Sequence, residues 1–105
     1  MVDEASDGLR AVELAGTSKP DVAILDLFMA GLNGLKAGAE IHRVSPETRC
    51  ILLSRSEESY DVAAAMAAGF KGYVAKADAA DYLVEAVAEV VRDGVFLSPH
   101  AGAIL

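Results

Sequence analysis

Apolar residues in this chain come in two kinds of run. Val22-Ala-Ile-Leu25, Ile51-Leu-Leu53 and Gly72-Tyr-Val-Ala75 are short, nearly unbroken stretches with the length of strands buried on both faces. Between them apolar residues recur at helical spacing, most clearly Leu83, Val87, Val90 and Val91 along one face of a final helix. Capping and breaking residues mark the joints. Asp7 can cap a helix from Gly8 to about Ala15, which Gly16, Ser18 and Pro20 should end. A helix from Gly34 to Val44 stops before Ser45-Pro46. Ser56 can cap a helix running through Ala63–Ala68, with Gly69 as its left-handed stop, and Asp78 can cap the last helix. Alternating strands and helices predict an α/β fold with a parallel sheet.

Composition acts mainly by exclusion. A chain of 105 residues with 53% hydrophobic and 24% charged residues should form one globular domain. No apolar run approaches the roughly 18 residues of a membrane span, and the Met-Val-Asp-Glu start has no signal-peptide character. The single Cys50 excludes an intrachain disulfide and a multi-cysteine metal site, and suits a reducing cytoplasm. Nine basic against sixteen acidic residues, a net charge of −7, argue against direct nucleic-acid binding.

Three polar residues stand where buried strands run out. Asp26 follows Leu25, Ser54 follows Leu53 and Lys76 follows Ala75. Ligands of open parallel α/β sheets bind beyond the carboxyl ends of the strands, and strands roughly 5 Å apart let the three side chains converge. A carboxylate, a hydroxyl and an ammonium together make a phosphoryl site: a nucleophile for an acyl phosphate and two groups to neutralise its oxygens. Singly, each would be an ordinary polar residue at the start of a wet loop.

Around these residues the chain resembles the receiver domain of bacterial two-component response regulators, nearest to the subfamily whose receiver precedes a helix-turn-helix output domain. The resemblance is carried by Glu4-Ala-Ser-Asp-Gly8, Pro20-Asp-Val-Ala-Ile-Leu-Asp-Leu-Phe-Met29, Gly31-Leu-Asn-Gly34, Leu53-Ser54, Ala68-Gly-Phe-Lys-Gly-Tyr73, Lys76 and Gly94-Val-Phe-Leu-Ser-Pro99. It implies a flavodoxin-like, doubly wound parallel sheet. Residues 1–105 would be a single receiver-like domain, with 95–105 starting a linker to an output domain absent from the chain. It implies Asp26 as phosphoacceptor, Ser54 as the switch hydroxyl, Lys76 as the cation that pairs with the phosphoryl group, and Tyr73 as the aromatic that changes rotamer. Mg²⁺ would be held by Asp26 and the Phe28 main-chain carbonyl, and a sensor histidine kinase would be the partner.

The chain departs from that pattern at its start. Receivers begin with a strand ending in two acidic residues that hold Mg²⁺, followed by a helix, and in the family's 2-1-3-4-5 strand order that strand is central. Here Glu4–Gly8 already matches the second strand and the turn after it, so the fold is expected to be N-terminally truncated. Truncation would bare the edge of Val22–Leu25 and uncover Leu83, Val87, Val90 and Val91, so a homo-oligomer through the strand edge or a segment swap is expected. A tail from Val95 to Leu105 filling the gap is the alternative. The stub Met1–Glu4 is expected to fray or to pair with another chain. If instead it slid inward beside Val22–Leu25, Asp3 or Glu4 would become a candidate metal ligand near Asp26. Gly38 stands where a large apolar residue would normally pack.

The leading reading is therefore a non-enzymatic signalling receiver that accepts phosphate at Asp26, slowed by the missing acidic pair. A phosphorylation-independent interaction or dimerisation module is the alternative. A dehalogenase-type aspartyl-phosphate phosphatase is remote, because the second acid it needs two residues on is Phe28.

Overall fold

Strand β1 (Val2–Asp7) leads into helix α1 (Gly8–Ser18), followed by β2 (Val22–Ala30), α2 (Gly34–Val44), β3 (Arg49–Ser54), α3 (Ser59–Ala67) and β4 (Gly72–Ala75). A single 3₁₀ turn at Lys76–Asp78 then opens α4 (Ala79–Val91), and a two-residue strand β5 (Phe96–Leu97) closes the chain's regular structure. The structure, a computed structural model, describes residues 2–30, 33–54 and 59–99. Ser56 and His100–Leu105, read above as a helix cap and as part of a gap-filling tail, lie outside the described residues.

All strand pairs are parallel, and their spatial order is the sequence order, β1-β2-β3-β4-β5. Alternation along the central strands divides the core into two layers. Ala23, Leu25, Cys50, Leu52 and Tyr73 pack with Ala11 and Ala15 of α1, Ala37 and Ile41 of α2, and Val62 and Ala65 of α3. Val22, Ile24, Ile51, Leu53 and Val74 pack with Ala86 and Val90 of α4. Helices thus cover both faces, as a doubly wound sheet requires. With the strands in sequence order, like-handed connections would put every helix on one face. Helix α4 sits on the other, so the connection into the two-residue β5 has the opposite hand to the three before it.

The edge of Val22–Leu25 is not bare, contrary to expectation. Strand β1 pairs with it from Val2↔Val22 through Ala5↔Leu25, so the stub neither frays nor waits for another chain. Two forces hold it there. Pairing satisfies backbone groups that would otherwise face only water, and α1 ties the stub down by burying Ala11 and Ala15 against the α2 side of the core. The argument for an oligomer built on the β2 edge falls with this pairing. The apolar face of α4 is only partly exposed: Val90 is buried and Leu83 and Val87 are half-buried, while Val84 and Val91 remain 85% and 47% exposed.

Helix ends show where local signals prevail. Gly16 does not stop α1, which packs along α2 and continues to Ser18, two residues before Pro20. Lys19 ends it in the left-handed region at φ 45°, with its N–H on the Ala15 carbonyl and its Nζ on the Val44 carbonyl. Helix α3 closes at Gly69 (φ 94°), where Phe70 N–H donates to Ala65 and Gly69 N–H to Met66. Helix α4 closes in the same pattern, with Gly94 N–H on Glu89 and Asp93 N–H on Val90. There Asp93 occupies the left-handed position at φ 66°. Asp78 precedes α4, but its side chain makes no capping bond, because the 3₁₀ turn holds its backbone in a helical conformation.

Gly38 is a complement rather than a loss. A Cβ there would lie 2.3 Å from Phe70 Cζ, so the ring of Phe70, 2% exposed, fills the space that a larger residue on α2 would take.

Cys50 lies in the same layer, and burial pushes its thiol up to about 12. The unfolded thiol titrates near about 8.5, so the folded state favours the neutral form. That contribution to stability is complete below the unfolded value and is lost as pH rises through the folded one. The stability margin of the wild type over Cys50→Ala should therefore shrink between about pH 9 and pH 12. Paired urea melts across that range check it; a margin independent of pH would contradict the burial argument.

Candidate functional site

The parallel register places the three polar residues at the carboxyl ends of adjacent strands. Asp26 is level with Leu53 of β3, and Leu53 with Val74 of β4. Ser54 is one residue further on, level with Ala75, and Lys76 follows Ala75. The residues thus step forward by one position per strand. Lys76 Nζ reaches Asp26 Oδ2 at 2.6 Å, with the two side chains 35% and 26% exposed. Ser54, the last residue of β3, is fully buried. Tyr73, three residues before Lys76, is also fully buried, packed in the layer beneath α1, α2 and α3.

Strand β2 does not end at Asp26 but runs on to Ala30. Its pairing with β1 jumps from Ala5↔Leu25 to Asp7↔Ala30, so β2 carries several more residues through this stretch than β1 does. Such irregularities bend a strand and re-aim its side chains, and they gather beside functional sites. Asp26 begins this excursion, and the backbone of Phe28 lies inside it; the Phe28 side chain is outside the described residues.

Gly34, the first residue of α2, packs on the same peptide. A Cβ there would stand 2.5 Å from the Asp26 carbonyl oxygen and 2.7 Å from Leu52 Cδ1. Only glycine lets α2 start this close to the acidic residue, while the Asn33 side chain caps the helix by accepting from Lys36 N–H at 2.9 Å. Gly34→Ala should therefore destabilise the fold by about 1–3 kcal/mol, the usual cost of overpacking. Urea denaturation measures this, and an unchanged midpoint would mean that the helix start yields freely.

The acidic residues do not assemble as the metal reading requires. Asp3 is level with Ala23 and Glu4 with Ile24, three and two positions below Asp26. At roughly 3.3 Å per residue their backbones lie about 10 and 7 Å short of it. The acid that does lie at the carboxyl end of β1 is Asp7. Its carboxylate accepts from Leu9 N–H at 2.9 Å and Arg10 N–H at 3.2 Å as the cap of α1. Among the described residues no group of three or more His, Cys, Asp or Glu could hold a metal ion. Asp26 is thus paired to Lys76 and Asp7 is committed to a helix cap.

Sequence reasoning placed Asp26, Ser54 and Lys76 correctly toward the carboxyl ends of three neighbouring strands. It missed the packing role of Gly34 and the buried Ser98, whose hydroxyl accepts from Ala75 N–H at 3.0 Å. Gly34 was read as the start of a helix, but its approach to Asp26 depends on where α2 docks.

A parallel sheet covered on both faces, with an aspartate and a lysine joined toward the carboxyl ends of its strands, is a receiver-type α/β arrangement. Residues 1–88 match the response regulator receiver domain, and the chain belongs to that family. It is 34% identical over all 105 residues to the nitrate/nitrite response regulator NarL of Escherichia coli K12, covering 49% of it. It is 32% identical over 99 residues to the transcriptional regulatory protein DegU of Brevibacillus brevis, covering 94% of this chain and 42% of that one. The chain spans about half the length of these curated relatives. A solved LuxR-family two-component response regulator from Aurantimonas superposes with a TM-score of 0.86 at 28% identity, covering 94% of this chain and 71% of that one. The response regulator domain of Thermotoga maritima CheB gives 0.70 at 31% identity, over 86% and 72%. The chain is thus a receiver module of the response-regulator family, and no helix among the described residues is long and apolar enough to cross a membrane.

Proposed function

We propose that this chain is a cytoplasmic receiver that accepts a phosphoryl group on Asp26, at a rate limited by its poor metal site. The observation that carries the reading is the 2.6 Å contact between Lys76 Nζ and Asp26 Oδ2 at the carboxyl end of the sheet. An Asp26 carboxylate oxygen would attack the phosphorus of a phosphohistidine on a sensor kinase. A new P–O bond forms as the P–N bond breaks, and the imidazole leaves with the electron pair. The Lys76 ammonium balances charge on the phosphoryl oxygens. Ser54 then donates its hydroxyl to one of those oxygens, and Tyr73 changes rotamer as the switch. Residues 95–105 would begin the linker to a DNA-binding output domain in the longer protein, with a homo-oligomer as the signalling state.

The test is incubation with a small phosphodonor, with and without Mg²⁺, followed by mass spectrometry. Slow appearance of a hydroxylamine-labile phosphoryl adduct, absent in Asp26→Asn, is the expected result; an adduct that survives Asp26→Asn would sink the site. The same chain preceded by a strand ending in two acidic residues and a helix should label much faster, because the metal can then supply its share of charge neutralisation. The commitment of Asp7 to the α1 cap favours a second reading, a phosphorylation-independent interaction module. Failure of both chains to label would favour that one.

A further inference from the structure

The segment after α4 is fastened to β4 beside the candidate site. Phe96 N–H donates to Lys71 and Ser98 N–H to the Tyr73 carbonyl, continuing a parallel ladder with Gly72↔Phe96 and Tyr73↔Leu97 in register. The next rung of such a ladder would take Ala75 N–H to the main-chain carbonyl of residue 98. Instead Ala75 N–H donates to the Ser98 hydroxyl at 3.0 Å. The side chain stands in for the backbone, so the chain can leave the sheet at Pro99 without orphaning a buried donor. Ser98 is fully buried, which removes water as a substitute acceptor.

Ala75 is level with Ser54 and immediately precedes Lys76. The Ser98 hydroxyl therefore fixes the strand end from which Lys76 reaches Asp26, and the Ser98 amide holds Tyr73. We propose that Ser98 is a positioning residue for Lys76, and that its two hydrogen bonds to β4 are the link by which the departing tail and the Asp26–Lys76 pair sense each other. Because coupling between sites is reciprocal, a change at Asp26 must loosen or tighten the tail as much as the tail changes Lys76. The proposal deepens the reading of Asp26–Lys76 as the functional pair, but its test needs no phosphoryl transfer, so a failure of labelling and a failure of coupling are distinguishable.

Amide hydrogen exchange by NMR, referenced in each sample to Ile51 in the core, provides the test. Ser98→Ala should speed exchange at Ala75 by about fivefold or more, and Asp26→Asn should speed it at Ser98 by a similar factor. In the double variant the two effects should fail to multiply, and Ser98→Thr should restore wild-type protection at Ala75. Unchanged exchange at Ser98 in Asp26→Asn, or effects that multiply, would overturn the proposal. If Ser98→Ala does not fold, the Asp26→Asn single variant decides alone.

Discussion

Lys76→Ala will cut the initial rate of Asp26 phosphorylation by a small phosphodonor about a hundredfold while leaving the fold almost as stable as before. The two halves of this prediction come from one contact seen in two environments. In the resting chain the ion pair is about a third exposed on the lysine side and a quarter on the aspartate side. Solvent screens such a pair, so its removal should cost at most about 1 kcal/mol. In the transferring complex the phosphoryl group adds negative oxygens and displaces water from the same small volume, where a preorganised cation is worth far more. Urea melts and single-turnover labelling of the same preparation read the two quantities. Equal losses of stability and rate would mean that Lys76 acts through folding; an unchanged rate would mean that another group neutralises the phosphoryl oxygens.

The second large effect concerns the core. Phe70→Ala should destabilise the protein by about 3–5 kcal/mol, the usual cost of removing a buried aromatic ring. Gly38→Leu should destabilise it separately by about 1–3 kcal/mol, because its side chain would meet the Phe70 ring at once. Combining the two should recover much of the loss, since the leucine then enters the space the ring vacates. Unfolding free energies of the four proteins form a double-mutant cycle, and strong non-additivity is the expected outcome. Simple addition would show that ring and glycine do not share one cavity.

This exchange also shows what could be read from residues alone. Composition and spacing marked Gly38 as an oddity, a helix residue about 1 kcal/mol worse than alanine. The reason lies across the core in Phe70, and no local pattern links a glycine on α2 to a ring just after α3. The strands were legible because Val22–Leu25, Ile51–Leu53 and Gly72–Ala75 are buried on both faces and carry their signal in unbroken apolar runs. The ends of α1 and β2 were not. Gly16 reads as a stop, but α1 packs along α2 and continues to Ser18, and Asp26 reads as a strand end although pairing resumes at Ala30. The meeting of Asp26 and Lys76 was legible for a topological reason: both lie toward the carboxyl ends of the parallel strands that flank β3, and their side chains reach across it. The position of Asp3 and Glu4 was not, because a shift of two residues in register separates a metal ligand from a bystander, and nothing in a six-residue strand sets that register except its partner.

The sequence-ordered sheet has a consequence for how the chain acquires its structure. From β1 to β4, every strand lies beside the one synthesised just before it, with a single helix as the intervening loop. In an order such as 2-1-3-4-5, the sheet must reverse direction and the third strand must find the first across a whole βα unit. Here each closure spans about one unit, so the entropy lost before the next contact forms is smaller than in the interrupted order. The sheet can grow vectorially, each βα unit docking on a template already complete as the chain leaves the ribosome. Its slowest step should be the last, when α4 crosses to the opposite face and Phe96–Leu97 zip onto β4.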